Sequence, residues 1–194
     1  MVELFNLNNG YATMAYLKQN RVHTSEINLA MQNGIIEKVK PGLYKLLDFP
    51  WDENSSYIDI YRSNKKAVIC LASAAEYYYL TVFNPAKVAV AIPRNSKFNK
   101  LLSLPTRIYY FSEKYYNNEI IEISSNGGKF LIYSMEKTVA DLFRYRTKIG
   151  DDIVIEVLKN YLKRPERNIN RLLKIAKNNG AYKAILPYLT ALIV

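Results

Sequence analysis

The chain has 194 residues, of which 49% are hydrophobic and 23% charged, which fits one or two folded domains and excludes a disordered chain. Lysine and arginine number 27 against 17 acidic residues, giving a formal net charge of +10. This surplus favours a polyanionic partner such as nucleic acid, although an ordinary solubilising surface also accounts for it.

Segments typical of membrane or secreted proteins are missing from the sequence. The longest apolar runs, residues 67–75, 88–93 and 185–194, are far shorter than the roughly 20 residues of a membrane-spanning helix. The first residues lack the basic and apolar blocks of a secretory signal. The single cysteine, Cys70, excludes a disulfide framework within one chain. We therefore expect a cytoplasmic protein without a membrane-bound part.

Residues 1–50 begin with a helical pattern. Apolar residues between Leu4 and Leu17 recur every three or four positions, which is the period of a helix. Asn8-Asn9-Gly10 interrupts this run, and Thr24 is a suitable N-cap for a further helix that ends at Asn33-Gly34. The predicted helices lie before Asn8, over residues 13–19 and over residues 24–32.

A predicted β-hairpin follows these helices. Residues 35–39 and 43–46 alternate between apolar and polar side chains, as strands do, and Lys40-Pro41-Gly42 between them is a typical turn. Helix, short turn, helix and hairpin follow one another in the order of a winged helix-turn-helix. We therefore predict a DNA-binding domain over residues 1–50, with a protein-docking winged helix as the alternative.

The helix over residues 24–32 would be the recognition helix. With Ile27, Ala30 and Met31 facing the core, its outer side carries polar groups that can reach base edges. These candidate base contacts are Thr24, Ser25, Asn28 and Gln32. The candidate phosphate contacts are cations of the turn and the hairpin, namely Arg21, Lys38, Lys40 and Lys45.

The rest of the chain predicts a polar linker and a larger second domain. Residues 51–66 are rich in polar side chains and resemble a domain boundary, with a short helix or strand at 58–62. Residues 67–194 mix strand and helix patterns. Predicted strands cover 87–93, 107–111, 120–124 and 129–133, and predicted helices cover 67–80, 135–146, 152–162, 168–178 and 182–192. The predicted fold class is α+β: a winged helix-turn-helix, then a mixed domain ending in a helical bundle.

Most of the positive charge lies outside the winged helix. Residues 1–50 carry five basic and four acidic side chains, whereas residues 159–183 carry eight basic side chains and the single acid Glu166. Several of these cations are three or four positions apart, which predicts one shared helix face. The candidate basic surface comprises Lys163, Arg167, Arg171, Lys174 and Lys177. One interpretation is that this surface binds DNA, RNA or an acidic partner. The other is that it is a solvated helix face without a partner.

Catalytic and metal-binding patterns are weak. His23 is the only histidine and falls in the predicted turn before the recognition helix. The sequence has no phosphate-binding Gly-x-x-x-x-Gly-Lys loop and no histidine and cysteine cluster for zinc. Glu119 and Glu122 lie near a strand without the partners of a nuclease metal site. We therefore predict no enzymatic activity, no metal and no cofactor.

The predicted helix over residues 135–146 has two faces. Val139, Leu142 and Phe143 lie on the face predicted to be buried. Lys137 and Asp141 lie on the opposite face. We therefore expect Asp141 to form an ion pair there with Lys137 or Arg144.

Four segments, in order along nearly the whole chain, resemble one known family. They are residues 39–44 (VKPGLY, preceded by Gly34), 67–75 (AVICLASAA), 88–93 (VAVAIP) and 134–143 (SMEKTVADLF). Respectively, they are similar to the wing, a Ser-Ala helix, a core strand and the s-x-E-K-T-x-A-D helix of the AbiEi-type antitoxins. Lys40 departs from the arginine common in the family, and lysine does not form bidentate contacts with phosphate.

The resemblance implies the antitoxin of a bacterial type IV toxin–antitoxin pair linked to abortive infection by phage. It implies that the winged helix represses the shared operon by binding inverted repeats in promoter DNA. A protein that reads such repeats could dimerise in solution or pair only on DNA. The functional partner would be a nucleotidyltransferase-like toxin, neutralised through residues 67–194. Two alternatives stay open: a toxin- or RNA-binding module without specific DNA binding, and a small metal-dependent nuclease.

Overall fold

The computed structural model describes residues 1–50, 52–98 and 101–193, and it has the predicted α+β fold. Two compact units divide the chain. The first contains residues 1–67, 97–106 and 122–130, and the second contains residues 68–96, 107–121 and 131–194. Trp51, at the start of the predicted linker, and Val194, at the end of the predicted second domain, lie outside the described residues.

The N-terminal elements reproduce the predicted order, add one strand, and show a helix where a short helix or strand was predicted at residues 58–62. In chain order they are α1 (Val2–Asn6), β1 (Tyr11–Thr13), α2 (Met14–Gln19), α3 (Thr24–Gln32), β2 (Ile36–Lys40), β3 (Leu43–Leu46) and α4 (Ser55–Ser63). Strands β1, β3 and β2 form an antiparallel sheet in that order. Strand β1 was not predicted because only three residues pair with β3, too few to show an alternating pattern.

The helices and the sheet of the first unit share one core. Phe5 from α1, Leu17 from α2, Ile27 from α3 and Ile36 from β2 are all essentially inaccessible to solvent. One apolar residue from each element is thus held at a common centre. This packing fixes α3 against the hairpin and leaves its polar side exposed.

Part of the predicted linker is helix α4. Its residues Ile58 and Ile60 are buried, and so is Asp59. The Asp59 carboxylate accepts hydrogen bonds from the Tyr11 hydroxyl at 2.7 Å and from Lys45 Nζ at 2.8 Å. The short helix or strand predicted at residues 58–62 is therefore a helix, and it is longer than predicted, with its acid Asp59 satisfied inside the unit.

Asp52 is a second acid whose hydrogen bonds organise the first unit. Its carboxylate accepts from the backbone N–H groups of Gly127 and Asn54, each at 2.8 Å, and from the Ser125 hydroxyl. Burial opposes ionisation of Asp52, but these hydrogen bonds outweigh it and lower its pKa. The ionised form is therefore favoured in the folded chain.

We expect Asp52→Asn to lower stability near neutral pH and to reduce the acid sensitivity of folding. An aspartate with a lowered folded pKa contributes its full stabilisation above its unfolded pKa of about 3.9. That contribution is lost as the pH falls through the folded pKa. Urea unfolding of both proteins between about pH 7 and pH 3 measures the difference. A difference in unfolding free energy that is constant over this range would contradict the assignment.

The second half of the chain carries the larger sheet and the helical end. Its elements are β4 (Val68–Ile69), α5 (Leu71–Tyr77), β5 (Val88–Pro93), β6 (Thr106–Phe111), α6 (Glu113–Tyr116), β7 (Ile120–Ser125), β8 (Gly128–Tyr133), α7 (Met135–Arg144), α8 (Arg146–Ile149), α9 (Asp151–Leu162), α10 (Ile169–Asn179) and α11 (Tyr182–Ile193). The strand order is β6-β5-β4-β8-β7. Strand β4 runs antiparallel to β5 and parallel to β8.

Strand β4 replaces the start of the helix predicted over residues 67–80. Val68 and Ile69 are both buried, and both are apolar. The sequence here is therefore a continuous apolar run, and such a run does not distinguish a buried strand from a buried helix. Leu71 then adopts a left-handed backbone conformation with φ of 48°, and α5 starts there. The chain turns from strand to helix without a glycine or proline to mark the boundary.

Helix α7 is the central element of the second unit. It packs against α5, α9, α10 and α11. Ser134 caps it by accepting a hydrogen bond from the Lys137 backbone N–H, as its position in the sequence predicts. Val139, Leu142 and Phe143 are buried as expected.

The opposite face of α7 is buried too, which corrects the two-faced prediction. Lys137 is 0% and Asp141 1% exposed. The predicted ion pair between them forms, with Lys137 Nζ 2.7 Å from Asp141 Oδ2. Asn179 also donates to Asp141, at 2.8 Å. The polar face is buried because helix α10 covers it and supplies that amide.

Candidate nucleic-acid interface

Helix α3 has the predicted bounds and presents its polar side to solvent. His23 is its N-cap, one residue before the predicted Thr24, and the Glu26 carboxylate accepts from the His23 backbone N–H at 3.0 Å. Ile27 and Ala30 are buried on the inner side. This arrangement fixes the first turn of α3, the part of a recognition helix that meets base edges.

The candidate base contacts share the exposed side of α3. Thr24, Ser25, Asn28 and Gln32 are all exposed. Leu29 lies among them with 56% of its surface exposed. Asparagine and glutamine amides can pair with the edge of adenine, and hydroxyls accept or donate to several bases. Leucine at this position can contact a thymine methyl group through apolar atoms.

The turn between α2 and α3 forms an open cationic depression. It is lined by Lys18, Arg21, Val22, His23 and Thr24 and has a volume of about 440 Å³. Arg21 adopts a left-handed conformation with φ of 62°, which reverses the chain before α3. Arg21 is exposed beside the start of a nine-residue helix. A helix N-terminus and a guanidinium together favour a phosphate group.

The cations of the hairpin differ in their freedom to reach DNA. Lys38 is exposed. The ammonium of Lys40 donates to the backbone carbonyl of Ser63, so it is held against the end of α4. Because phosphate binding needs an available donor, Lys38 is the stronger hairpin candidate and Lys40 would have to exchange its partner.

Lys45 is removed from the candidate phosphate contacts. Its ammonium lies 2.9 Å from Glu37 Oε1 and 2.8 Å from Asp59 Oδ2. Burial lowers the pKa of Lys45, but the hydrogen bonds to the two carboxylates outweigh this and raise it. Its charge is therefore neutralised inside the unit. The sequence showed an outward strand position but not the acid that α4 brings to it.

The cations of the predicted basic surface are exposed in the second unit, but two of them differ from the prediction. Lys163, Arg167, Lys174 and Lys177 are exposed, and Arg171 is 49% exposed. Arg171 Nη2 lies 2.5 Å from Glu119 Oε2, so its charge is partly neutralised. Arg167 precedes α10 and donates to the Arg164 carbonyl at 3.1 Å. It therefore lies outside the helix face that the spacing predicted for it.

A loop of the second unit displays apolar side chains although its backbone is held firmly. Tyr79 is 77% and Val82 95% exposed. Glu156 and Asn160 of helix α9, and Arg164 just after its end, bind this backbone. Glu156 accepts from the Val82 N–H at 3.1 Å, Asn160 donates to the Leu80 carbonyl at 2.9 Å, and Arg164 donates to the Tyr78 carbonyl at 2.5 Å. Exposed apolar groups on a fixed backbone are typical of protein contact sites.

Neither this loop nor a second group of cations is marked by a sequence pattern. The three polar residues that hold the loop, two in α9 and one just after it, recur every four positions, but their backbone partners are about 80 residues away along the chain. The second group contains Arg62, Lys65 and Lys129, which line one open groove of the first unit. Arg62 and Lys65 lie three positions apart, but their segment was interpreted as the end of a linker.

The described parts of the chain contain neither a metal-binding cluster nor a membrane-spanning helix. Within residues 1–50, 52–98 and 101–193, no three His, Cys, Asp or Glu side chains cluster in a way that could hold a metal ion. Each described helix falls short of the length and apolar character that a membrane crossing requires.

The fold has a counterpart among solved structures. No family model and no curated protein matches the chain. The crystal structure of the RV2827C protein from Mycobacterium tuberculosis matches with a TM-score of 0.54 and 12% sequence identity. The match covers 97% of this chain and 80% of that chain. At this identity the likeness shows a shared fold and does not extend to function.

Proposed function

We propose that the chain is a cytoplasmic DNA-binding repressor of its own operon and the antitoxin of a type IV toxin–antitoxin pair. The observation that carries the DNA-binding part is the exposed polar side of α3, with Asn28 at its centre and the Arg21 depression at its start. The antitoxin part rests on the resemblance of four segments to the AbiEi-type family.

In the proposed complex, α3 lies in the major groove of promoter DNA. Asn28 and Gln32 read base edges, and Arg21 and Lys38 bind phosphates on either side. Inverted repeats would seat two copies of the chain, because each winged helix reads one half-site. The proposed activity is binding and requires no metal or cofactor.

Replacing both Arg21 and Lys38 by alanine is expected to weaken binding to specific and random duplexes alike. Each cation neutralises one phosphate and releases its counterions, so the slope of log affinity against log salt should fall by about 2 for the pair. Fluorescence anisotropy of a labelled duplex between about 50 and 200 mM salt measures this slope.

The matched control is the double replacement of Lys87 and Lys148 by alanine. Both residues are exposed in the second unit, and the change in net charge is the same. Equal effects of the two double variants would show that total charge, and not the turn and the hairpin, accounts for DNA binding.

The exposed loop of the second unit favours a protein partner in addition to DNA. Tyr79 and Val82 offer apolar contacts, and the guanidinium of Arg164, just after the end of α9, donates to the Tyr78 carbonyl of the same loop. We propose that this surface meets an apolar patch with acidic residues around it on the nucleotidyltransferase-like toxin. Aromatic and arginine side chains are frequent anchors of such contacts.

Growth of cells that express the toxin tests the antitoxin part. Co-expression of this chain with the product of the neighbouring gene should restore growth that the toxin alone arrests. Co-purification of the two proteins separates direct contact from repression alone. Continued growth arrest in the presence of folded, abundant chain would contradict the antitoxin assignment.

A further inference from the structure

The first unit contains a cationic groove apart from the predicted DNA contacts. It lies between the end of α4 and the β7–β8 hairpin and has a volume of about 370 Å³. Arg62, Lys65 and Lys129 line it; we refer to it as the α4 groove. Asn9 and the exposed Ser124 add neutral polar groups to its wall.

Aromatic rings hold the cations of the α4 groove in place. The guanidinium of Arg62 lies 5.0 Å from the centre of the Tyr11 ring and donates to the Asn8 carbonyl at 3.4 Å. Lys65 Nζ lies 4.1 Å from the centre of the Tyr61 ring. Contacts of this kind reduce the freedom that a long side chain loses on binding an anion.

Little negative charge balances these cations. Lys129 pairs with Glu122 at 2.8 Å, where both side chains are about half exposed. In the described parts of the chain, neither Arg62 nor Lys65 lies within 4.0 Å of a carboxylate oxygen. Asp59 on the same helix is already bonded to Tyr11 and Lys45.

The cations of the α4 groove also repel one another. Partial desolvation, followed by the charges of Arg62 and Lys129, lowers the pKa of Lys65. An anion between these side chains would remove that repulsion. Three cations and neutral donors around an open groove match a phosphate group, which offers several acceptor oxygens and a negative charge.

We propose that the α4 groove binds a phosphate group. Where that group belongs to the DNA backbone, the inference rests on the proposed function and adds a phosphate contact outside the winged helix itself. Where it belongs to a free phosphate, the inference is independent of DNA binding. The two sources share their chemistry and are separated by experiment.

Lys65→Glu tests the groove in the full-length chain. Lys65 is exposed, so its replacement is not expected to disturb the core, and equal thermal unfolding of variant and parent checks this. The control is Lys87→Glu, the same charge reversal at an exposed lysine of the second unit. One arm measures anisotropy of a labelled duplex across a salt series, and the other measures calorimetric binding of inorganic phosphate.

Lys65→Glu is expected to weaken binding roughly tenfold in at least one arm, and Lys87→Glu is expected to change it much less. Loss in the duplex arm, with a salt slope lower by about 1, assigns the groove to the DNA backbone. Loss in the inorganic phosphate arm alone assigns it to a free phosphate. Equal effects of the two variants in both arms overturn the inference.

The two arms also separate this inference from the proposed function. If the parent protein binds no duplex at all, DNA binding fails and the inorganic phosphate arm alone decides about the groove. Saturable binding of inorganic phosphate that Lys65→Glu removes would support a phosphate site in the α4 groove. If the parent binds no phosphate, or if Lys65→Glu leaves phosphate binding unchanged, the inference is overturned.

Discussion

Asp141→Ala is expected to lower the free energy of unfolding by about 3–5 kcal/mol, because it leaves a buried ammonium without its carboxylate. Lys137 is fully buried, and its Nζ lies 2.7 Å from Asp141 Oδ2 and 4.3 Å from the centre of the Tyr133 ring. The same change leaves the Asn179 amide without the oxygen that it now meets at 2.8 Å. Such a loss is a large fraction of the stability of a typical domain.

Urea unfolding of Asp141→Ala and of the double variant Lys137→Met with Asp141→Leu separates charge from packing. Burial raises the pKa of Asp141 despite the nearby Lys137, so desolvation opposes this ion pair. We expect the apolar double variant to recover most of the lost stability. A double variant as unstable as Asp141→Ala would show that the unpaired Asn179 amide or altered packing, and not the unpaired ammonium, causes the loss.

An exposed ion pair provides a contrast within the same chain. Glu122 and Lys129 are each 48% exposed and 2.8 Å apart. Solvent screens an exposed pair, so Glu122→Ala should lower the free energy of unfolding far less than Asp141→Ala. Similar losses in both variants would contradict the role assigned to burial.

Asn28→Ala is expected to weaken binding to the operator by about 1–3 kcal/mol and to relax the preference for one base pair. Asn28 is exposed on α3, and its amide can pair with adenine through two hydrogen bonds. Its removal should leave the affinity for random DNA almost unchanged, because phosphate contacts supply that affinity.

Fluorescence anisotropy with operator and scrambled duplexes measures the ratio of the two affinities. Asn28→Ala should reduce this ratio. Asn6→Ala is the control, since it removes the same amide from an exposed position of α1 in the same unit. A ratio that stays at the value of the parent protein in Asn28→Ala would remove this residue from the base contacts.

Sequence patterns predicted elements best where their period and their ends were both visible. Helix α3 has the predicted bounds, and Asn33-Gly34 follows it as expected. The strands predicted over residues 120–124 and 129–133 are present as β7 and β8, each one residue longer than predicted. Strands β1 and β4 were missed because they contain three and two residues, too few to display a period.

The states of individual charged residues were less predictable than their positions. Lys45 was expected at phosphate but is paired with carboxylates of its own unit, and the predicted Lys137–Asp141 ion pair forms but is buried. Partners distant in the chain decide these cases. Asp59 reaches Lys45, and Asn179 reaches Asp141 across 38 positions. Helix period identifies the face of one element but not the element that covers it.

The most direct test of the proposed function is binding to DNA from upstream of the chain's own operon. Anisotropy of this duplex and of a scrambled duplex would be compared across a salt series. We predict tighter binding to the upstream duplex at every salt concentration and a steep fall of both affinities with salt. Equal affinities would reduce the interface to a general polyanion surface, and absence of binding to either duplex would contradict the repressor assignment.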